Sequence, residues 1–296
     1  MSKKLTTESN SLYKNIDRMS IREILYAIHE EDKKIVPAIK KTIPQMEKLI
    51  TKILERMEKG GRVFYTGAGT SGRLGVLDAS EIPPTFGIED LFIGVIAGGD
   101  SALRKAIESA EDDFIMGWED LQKYNIGIKD TVIGLTTSGQ TPYVMGAVSE
   151  AKKRGLLTAC ITCNLETEIA RMVDFPIVAI VGPEFVTGST RMKAGSAEKL
   201  ILNAISTSLM IKMGRVKGNM MVHMRISNKK LKDRGVNMIM DSLCLEKAQA
   251  EQLLFQYGSI NKVLATKKKN NLLDCSQQKE FMYLPFYKGI SHKKII

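Results

Sequence analysis

The chain has 296 residues, of which 44% are hydrophobic and 26% charged, and carries a formal net charge of +10. That length and balance allow a large packed core and exclude a disordered or collagen-like polymer. No run approaches a membrane-spanning length, and the opening Met1-Ser-Lys-Lys-Leu-Thr-Thr-Glu lacks the apolar centre of a signal peptide, so no export and no membrane partner are expected.

Ile21 to Lys59 reads as mainly helical, with Leu49, Ile53 and Met57 at i, i+4 and i+8 between charged residues, and Gly60-Gly61 ends it. Apolar strands are then predicted at Val63 to Thr66, Phe92 to Ala97, Thr131 to Leu135, Leu157 to Cys163 and Pro176 to Val181. Helices are predicted between them at Ser71 to Ser80, Ser101 to Asp112, Pro142 to Arg154 and Glu166 to Met172. Strands without polar alternation, separated by helices, point to an α/β fold in which a doubly wound parallel sheet of about five strands is covered on both faces. A long apolar helix follows from Ala197 to Met213, and Lys229 to about Leu264 reads as a smaller helical module. The expected division is an N-terminal helical segment over 1–54, the α/β domain over 55–218, and a C-terminal helical module over 219–296. From about 266 to 296 the tail supports neither period and is expected to be weakly ordered.

Much of the positive charge lies in that tail, where Lys267, Lys268, Lys269, Lys279, Lys288, Lys293 and Lys294 stand against Asp274 and Glu280. No nucleic-acid recognition signature accompanies it, so a solvated basic surface suited to an anionic small substrate is expected, with no nucleic-acid partner. The four cysteines suggest no paired framework. Cys160 and Cys163 have the spacing of a redox or metal pair but fall in an apolar run, where two buried thiols in a strand are expected. A reducing cytoplasm fits that usage.

Three Gly/Ser/Thr turns follow predicted strands, where a parallel sheet collects its ligands: Gly67 to Arg73, Thr136 to Thr141, and Thr187 to Gly195. Each offers hydroxyl and amide hydrogens to a phosphate, and Arg73, Arg191 and Lys193 offer charge. Gly67-Ala-Gly-Thr-Ser-Gly72 matches G-x-G-x-x-G, but the second strand runs into Gly98-Gly99 without an acidic residue for a ribose, and no phosphate-binding G-x-x-x-x-G-K-[ST] occurs. A phosphorylated, hydroxyl-rich ligand is therefore favoured over a nucleotide. Two acidic features accompany the turns. Glu81 closes the first helix before Pro83-Pro84, and Glu108, Glu111 and Asp112 fall on one face of the next, where repulsion and partial burial would raise a carboxyl pKa.

Gly67 to Phe86 (GAGTSGRLGVLDASEIPPTF), Ala97-Gly98-Gly99, Glu108 to Asp113 (ESAEDD), Ser138 to Val144 (SGQTPYV) and Thr187 to Lys199 (TGSTRMKAGSAEK) together resemble the N-acetylmuramic acid 6-phosphate etherases. The resemblance runs from about residue 6 to about residue 265. It implies a sugar-phosphate isomerase-type fold and a cytoplasmic homodimer that cleaves the D-lactyl ether of its substrate without metal or organic cofactor. It also implies Glu81 as proton donor and Glu111 as the second acid/base group. Ser138 and Thr141 become the leading phosphate ligands, followed by Ser71 and Ser189, with Arg73 and Lys193 as charged contacts. Three departures stand out: Gln140 where the family usually has Arg, His223 where an acidic residue is usual, and the tail. A non-catalytic sugar-phosphate regulator and an aldose–ketose isomerase of the same fold remain alternative readings.

Overall fold

The computed structural model describes residues 5–269. Two compact units divide the chain: residues 1–82 with 88–214, and residues 83–87 with 215 onward.

The first unit begins with 3₁₀ turns at Thr6–Glu8 and Ile16–Arg18, then helices α1 (Ile21–Asp32), α2 (Ile35–Lys40) and α3 (Ile43–Met57). A capping box between Ser20 and Glu23 starts α1. The stretch expected to be mainly helical is thus three helices. Pro37 lies in the first turn of α2 and Pro44 in that of α3, positions where a missing N–H costs nothing, whereas a continuous helix would lose two backbone bonds there. Met46, Leu49, Ile53 and Met57 form the buried stripe of α3.

The sheet follows, alternating with helices: β1 (Val63–Gly67), α4 (Gly69–Ser80), α5 (Ile82–Phe86), β2 (Phe92–Ile96), α6 (Ser101–Arg104), α7 (Met116–Gln122), β3 (Thr131–Leu135), α8 (Pro142–Lys153), β4 (Leu157–Thr162), α9 (Glu168–Met172) and β5 (Phe175–Val178). All strand pairs are parallel, in the order β2-β1-β3-β4-β5. Every residue of β1, β3 and β4 is buried, as expected of central strands covered on both faces. Gly67 and Leu135 are partners at the ends of β1 and β3, so the loops that leave these strands start side by side at the point where the strand order reverses. Gly72 keeps α4 close to that sheet: a Cβ there would stand 2.6 Å from Ile96 Cγ1 and 2.7 Å from the Gly67 carbonyl. The glycine pattern thus serves helix–strand packing.

The predicted helix over Ser101 to Asp112 breaks after α6. Lys105 is extended, Ile107 is non-helical, and a 3₁₀ turn occupies Glu108–Asp112. The break lets Ile107 and Ala110 fold back over Gly98, with side-chain carbons 3.2 and 3.4 Å from a Cβ placed there, and Ala110 packs against the core beneath the sheet. Cys160 and Cys163 are buried free thiols, as expected, with burial pushing Cys160 up to about 12. Cys275 lies outside the described residues.

The 20-residue helix α10 (Lys193–Lys212) closes the first unit and packs against α2, α3 and α4. In the second unit α11 (Lys229–Leu243), α12 (Lys247–Tyr257) and α13 (Ile260–Lys269) enclose a core of Val222, Met224, Val236, Ile239, Leu254, Ile260 and Val263. The expected tail lies, beyond Lys269, outside the described residues. Among the described residues no helix is long and apolar enough to cross a membrane.

Candidate active site

A cavity of about 450 Å³ opens at the carboxyl ends of β1 and β3. One wall is the start of α4, where Gly69, Thr70 and Ser71 follow Ala68 and no side chain caps the helix. First-turn amides have no acceptor within a helix, so this end offers N–H groups and a favourable dipole to an anion.

The facing wall is the loop after β3. Thr136 Oγ1 lies 2.9 Å from Thr141 Oγ1 and 3.2 Å from Ser138 Oγ, and accepts the Gly139 amide at 3.1 Å. Gly139 turns this loop in the left-handed region (φ +76°), against Thr167. A second tether comes from below, where the Asn164 side-chain amide donates to the Thr137 and Ser138 carbonyls and to Thr7 Oγ1, and its oxygen accepts the Thr7 amide. That pair of bonds fixes the N-terminal 3₁₀ turn and places Glu8 in the cavity wall.

Of the residues expected from sequence, Ser71, Ser138, Thr141 and Glu111 line this one cavity, joined by Gln140. Burial, then the charges of Asp112 and Glu108, raise the Glu111 carboxyl above its ordinary range. In a 3₁₀ turn residues three apart eclipse, so Glu108 and Glu111 share a face as foreseen from helical spacing, though on a tighter spiral.

Four other expected residues lie elsewhere. Glu81 is exposed at the C-terminal end of α4, ten residues beyond Ser71 and so about 15 Å away by helical rise. Arg73 is half-buried and donates through Nε to the Leu103 carbonyl at 3.1 Å. Lys193 is 1% exposed and its ammonium pairs with Glu31, which corrects its expected role as a phosphate contact: the charge is spent inside the fold. Burial works against the Glu31 carboxylate, but Lys193 and Lys34 hold its pKa below the ordinary value. Ser189 sits one residue from the wall, which the third turn reaches through Thr190 instead.

The third turn also lacks free amides at its helix. Glu184, fully buried, accepts the Lys193 amide at 3.0 Å and the Ala194 amide at 2.9 Å, and so occupies the N-terminus of α10 itself. Glu8, Asp112, Thr70 and Thr190 are wall residues that sequence reasoning did not nominate. Thr70 and Thr190 lay inside the recognised turns. Glu8 is brought to the site by the long-range Thr7–Asn164 bonds. His223 belongs to the second unit, where burial and then Arg215 lower its pKa. Among the described residues no cluster of His, Cys, Asp and Glu is arranged to hold a metal ion.

Residues 45–152 match the family described as glucokinase regulatory protein N-terminal SIS domain, and residues 119–207 match the SIS domain family. A solved phosphoheptose isomerase from Neisseria gonorrhoeae is 18% identical, with a TM-score of 0.48 over 64% of this chain and 99% of its own. Far higher similarity is found to the N-acetylmuramic acid 6-phosphate etherase of Porphyromonas gingivalis strain W83, 56% identical over 86% of this chain and 93% of the relative. The same enzyme of Bacteroides fragilis strain YCH46 is 57% identical over 87% of this chain and 92% of the relative. With that identity sustained along nearly the whole length of both proteins, the chain belongs to the N-acetylmuramic acid 6-phosphate etherases, a family of carbon–oxygen lyases.

Proposed function

We propose that the cavity between α4 and the Thr136–Thr141 loop binds the phosphate end of N-acetylmuramic acid 6-phosphate, and that the protein acts as a cytoplasmic homodimer. The carrying observation is the convergence of Ser71, Ser138 and Thr141 with Glu111 in one cavity at the sheet's switch point. Hydroxyls and helix amides suit phosphate oxygens, and the raised Glu111 pKa suits proton transfer near neutral pH.

The chemistry needs two acid/base groups. With the sugar ring open, C1 is an aldehyde and the C2 hydrogen is acidic. A base removes that hydrogen, and the C3–O bond breaks as an acid gives lactate its proton. Water then adds at C3 of the unsaturated aldehyde, giving N-acetylglucosamine 6-phosphate and D-lactate. We assign these transfers to Glu111 and Glu81, with Glu81 as the proton donor to the leaving lactate.

Glu81 cannot reach its own subunit's cavity across about 15 Å of α4, so we propose that it serves the cavity of the partner subunit. The exposed apolar side chains Leu77 on α4 and Leu200 on α10, 48% and 41% accessible, support an interface involving these two packed helices. The test is complementation between two inactive variants, Glu81→Gln and Glu111→Gln, unfolded and refolded together. Random mixing makes half the dimers mixed, each with one intact site, so about a quarter of wild-type D-lactate release is expected. Activity no greater than that of the separate variants would place both glutamates in one subunit's site.

A second prediction concerns pH. Removing negative charge beside Glu111 eases its ionisation, so the Glu108→Gln/Asp112→Asn variant should have a lower Glu111 pKa. The limb of the pH–kcat profile governed by Glu111 is expected to move to lower pH, whether Glu111 acts as acid or base. A limb that stays in place, or moves to higher pH, contradicts its role.

A further inference from the structure

Glu8, in the wall of the cavity, takes no part in the reaction described above. The residue is exposed, and among the described residues its carboxylate has no hydrogen-bond or ion-pair partner. The backbone on either side of it is nevertheless pinned. Thr7 is fully buried, its amide donating to Asn164 Oδ1 at 3.1 Å and its Oγ1 accepting from Asn164 Nδ2 at 2.8 Å. Four residues further on, the Ser11 amide donates to Thr187 Oγ1 at 2.9 Å and Ser11 Oγ donates to the Phe185 carbonyl at 2.7 Å. The Tyr13 ring then meets Phe185 edge-on, with centroids 5.1 Å apart. Terminal segments are ordinarily among the looser parts of a chain. Here a short span is tied between the end of β4 and the third turn, and none of its bonds uses the Glu8 carboxyl.

The carboxylate lies against the third turn, with Oε2 3.4 Å from a Cβ placed on Gly188. Glu184 already occupies the first amides of α10, so this side of the cavity presents acceptors where a phosphate would need donors. A carboxylate is acceptor-only. No Lys, Arg or His stands among the residues that line the cavity, so the hydrogens Glu8 can receive there are those of the ligand. The phosphate and the lactyl carboxylate of the proposed substrate are repelled by it. Its hydroxyls are not, and their bonds to a carboxylate are short and strong. An acceptor held in place before the ligand arrives also lowers the ordering cost of binding.

We propose that Glu8 is a sugar-binding residue whose carboxylate accepts hydroxyl hydrogens of the bound sugar beside the third turn, and so sets the pose of the sugar once Ser71, Ser138 and Thr141 hold its phosphate. The inference rests on the sugar-phosphate reading of the cavity.

The test uses the full-length protein and two variants, Glu8→Ala and Glu8→Gln. Affinity for N-acetylglucosamine 6-phosphate is measured by titration calorimetry, affinity for inorganic phosphate by its displacement of that sugar phosphate, and stability by thermal denaturation. Glu8→Ala is expected to bind the sugar phosphate about tenfold more weakly, the value of one hydrogen bond to a charged group. It should bind inorganic phosphate at least as tightly as wild type, because a negative charge has gone. Glu8→Gln keeps a neutral acceptor and should fall between, about threefold weaker than wild type for the sugar phosphate. Both variants should unfold within about 2 °C of wild type, since the side chain is exposed and bonded to nothing in the fold.

Unchanged or tighter sugar-phosphate binding in Glu8→Ala would overturn the proposal. So would an equal loss for both ligands, or a loss accompanied by a fall in unfolding temperature, since either would make Glu8 a support of the phosphate loop. Wild-type protein that binds no sugar phosphate, or does not release it to inorganic phosphate, would instead overturn the reading of the cavity on which the proposal rests.

Discussion

Glu81→Gln is expected to lower the rate of D-lactate release by about 10² to 10⁴, the usual contribution of a positioned acid or base, while N-acetylglucosamine 6-phosphate still binds with nearly wild-type affinity. Two features make the comparison clean. Glu81 is exposed, and its contribution to α4 is made by its backbone, whose amide reaches the Asp78 and Ala79 carbonyls at the end of the helix. Replacing the carboxyl by an amide of the same shape touches neither the helix nor the core, so stability should stay within about 0.5 kcal/mol. Ser71, Ser138 and Thr141 are untouched, which is why binding of the product should survive. Steady-state kcat and calorimetric affinity, measured on the same preparation, separate the two quantities. Lactate release that survives in Glu81→Gln would remove this residue from the reaction.

A large structural effect at the site itself is expected at Gly139. A Cβ there would lie 2.4 Å from Thr167 Cγ2, 2.5 Å from Thr167 Cβ and 2.8 Å from Thr167 Oγ1, on a backbone with φ +76°. Thr167 is buried at the start of α9 and cannot swing away. The left-handed conformation costs a side chain about 1–2 kcal/mol, and the forced overpacking about 1–3 kcal/mol more. Gly139→Ala should therefore lower the midpoint of thermal unfolding by about 5–15 °C for a unit of this size. The loop that carries Ser138 and Thr141 would shift with it, so sugar-phosphate affinity should fall as well. Adding Thr167→Gly removes the clash but not the backbone cost, and should restore part of the stability. A Gly139→Ala protein with wild-type unfolding and affinity would mean that this turn does not hold the site.

The sheet was legible because its central strands are buried on both faces and so carry uninterrupted apolar runs; all five predicted strands appear, with ends displaced by no more than three residues. The N-terminal stretch was legible as mainly helical from its periodicity, and its division into three helices places Pro37 and Pro44 in first turns. The helix around Glu108 was misjudged: its break is driven by Ile107 and Ala110 closing over Gly98, a contact between residues that only the folded chain brings together. Local turn chemistry picked out the Gly/Ser/Thr turns whose Ser71, Ser138 and Thr141 line the cavity. Charge was the weaker guide. Lys193 and Arg73 looked like phosphate contacts because cations in glycine-rich turns often are, but their partners, Glu31 and the Leu103 carbonyl, lie 162 and 30 residues away along the chain. No local pattern reveals that a charge has already been claimed.

The bond between Glu184 and the first amides of α10 has a bearing on orientation. The proposed substrate is anionic at two places, the phosphate on C6 and the carboxylate of the lactyl group. Each vacant helix N-terminus offered to such a molecule is a seat that either end could take. Here the N-terminus of α10 is already stopped with the protein's own carboxylate, while α4 and α8 start without a side-chain cap beside the cavity. Glu184 thus acts as a plug that removes the start of α10 as a rival seat for either anionic end, leaving both ends to the other two helices.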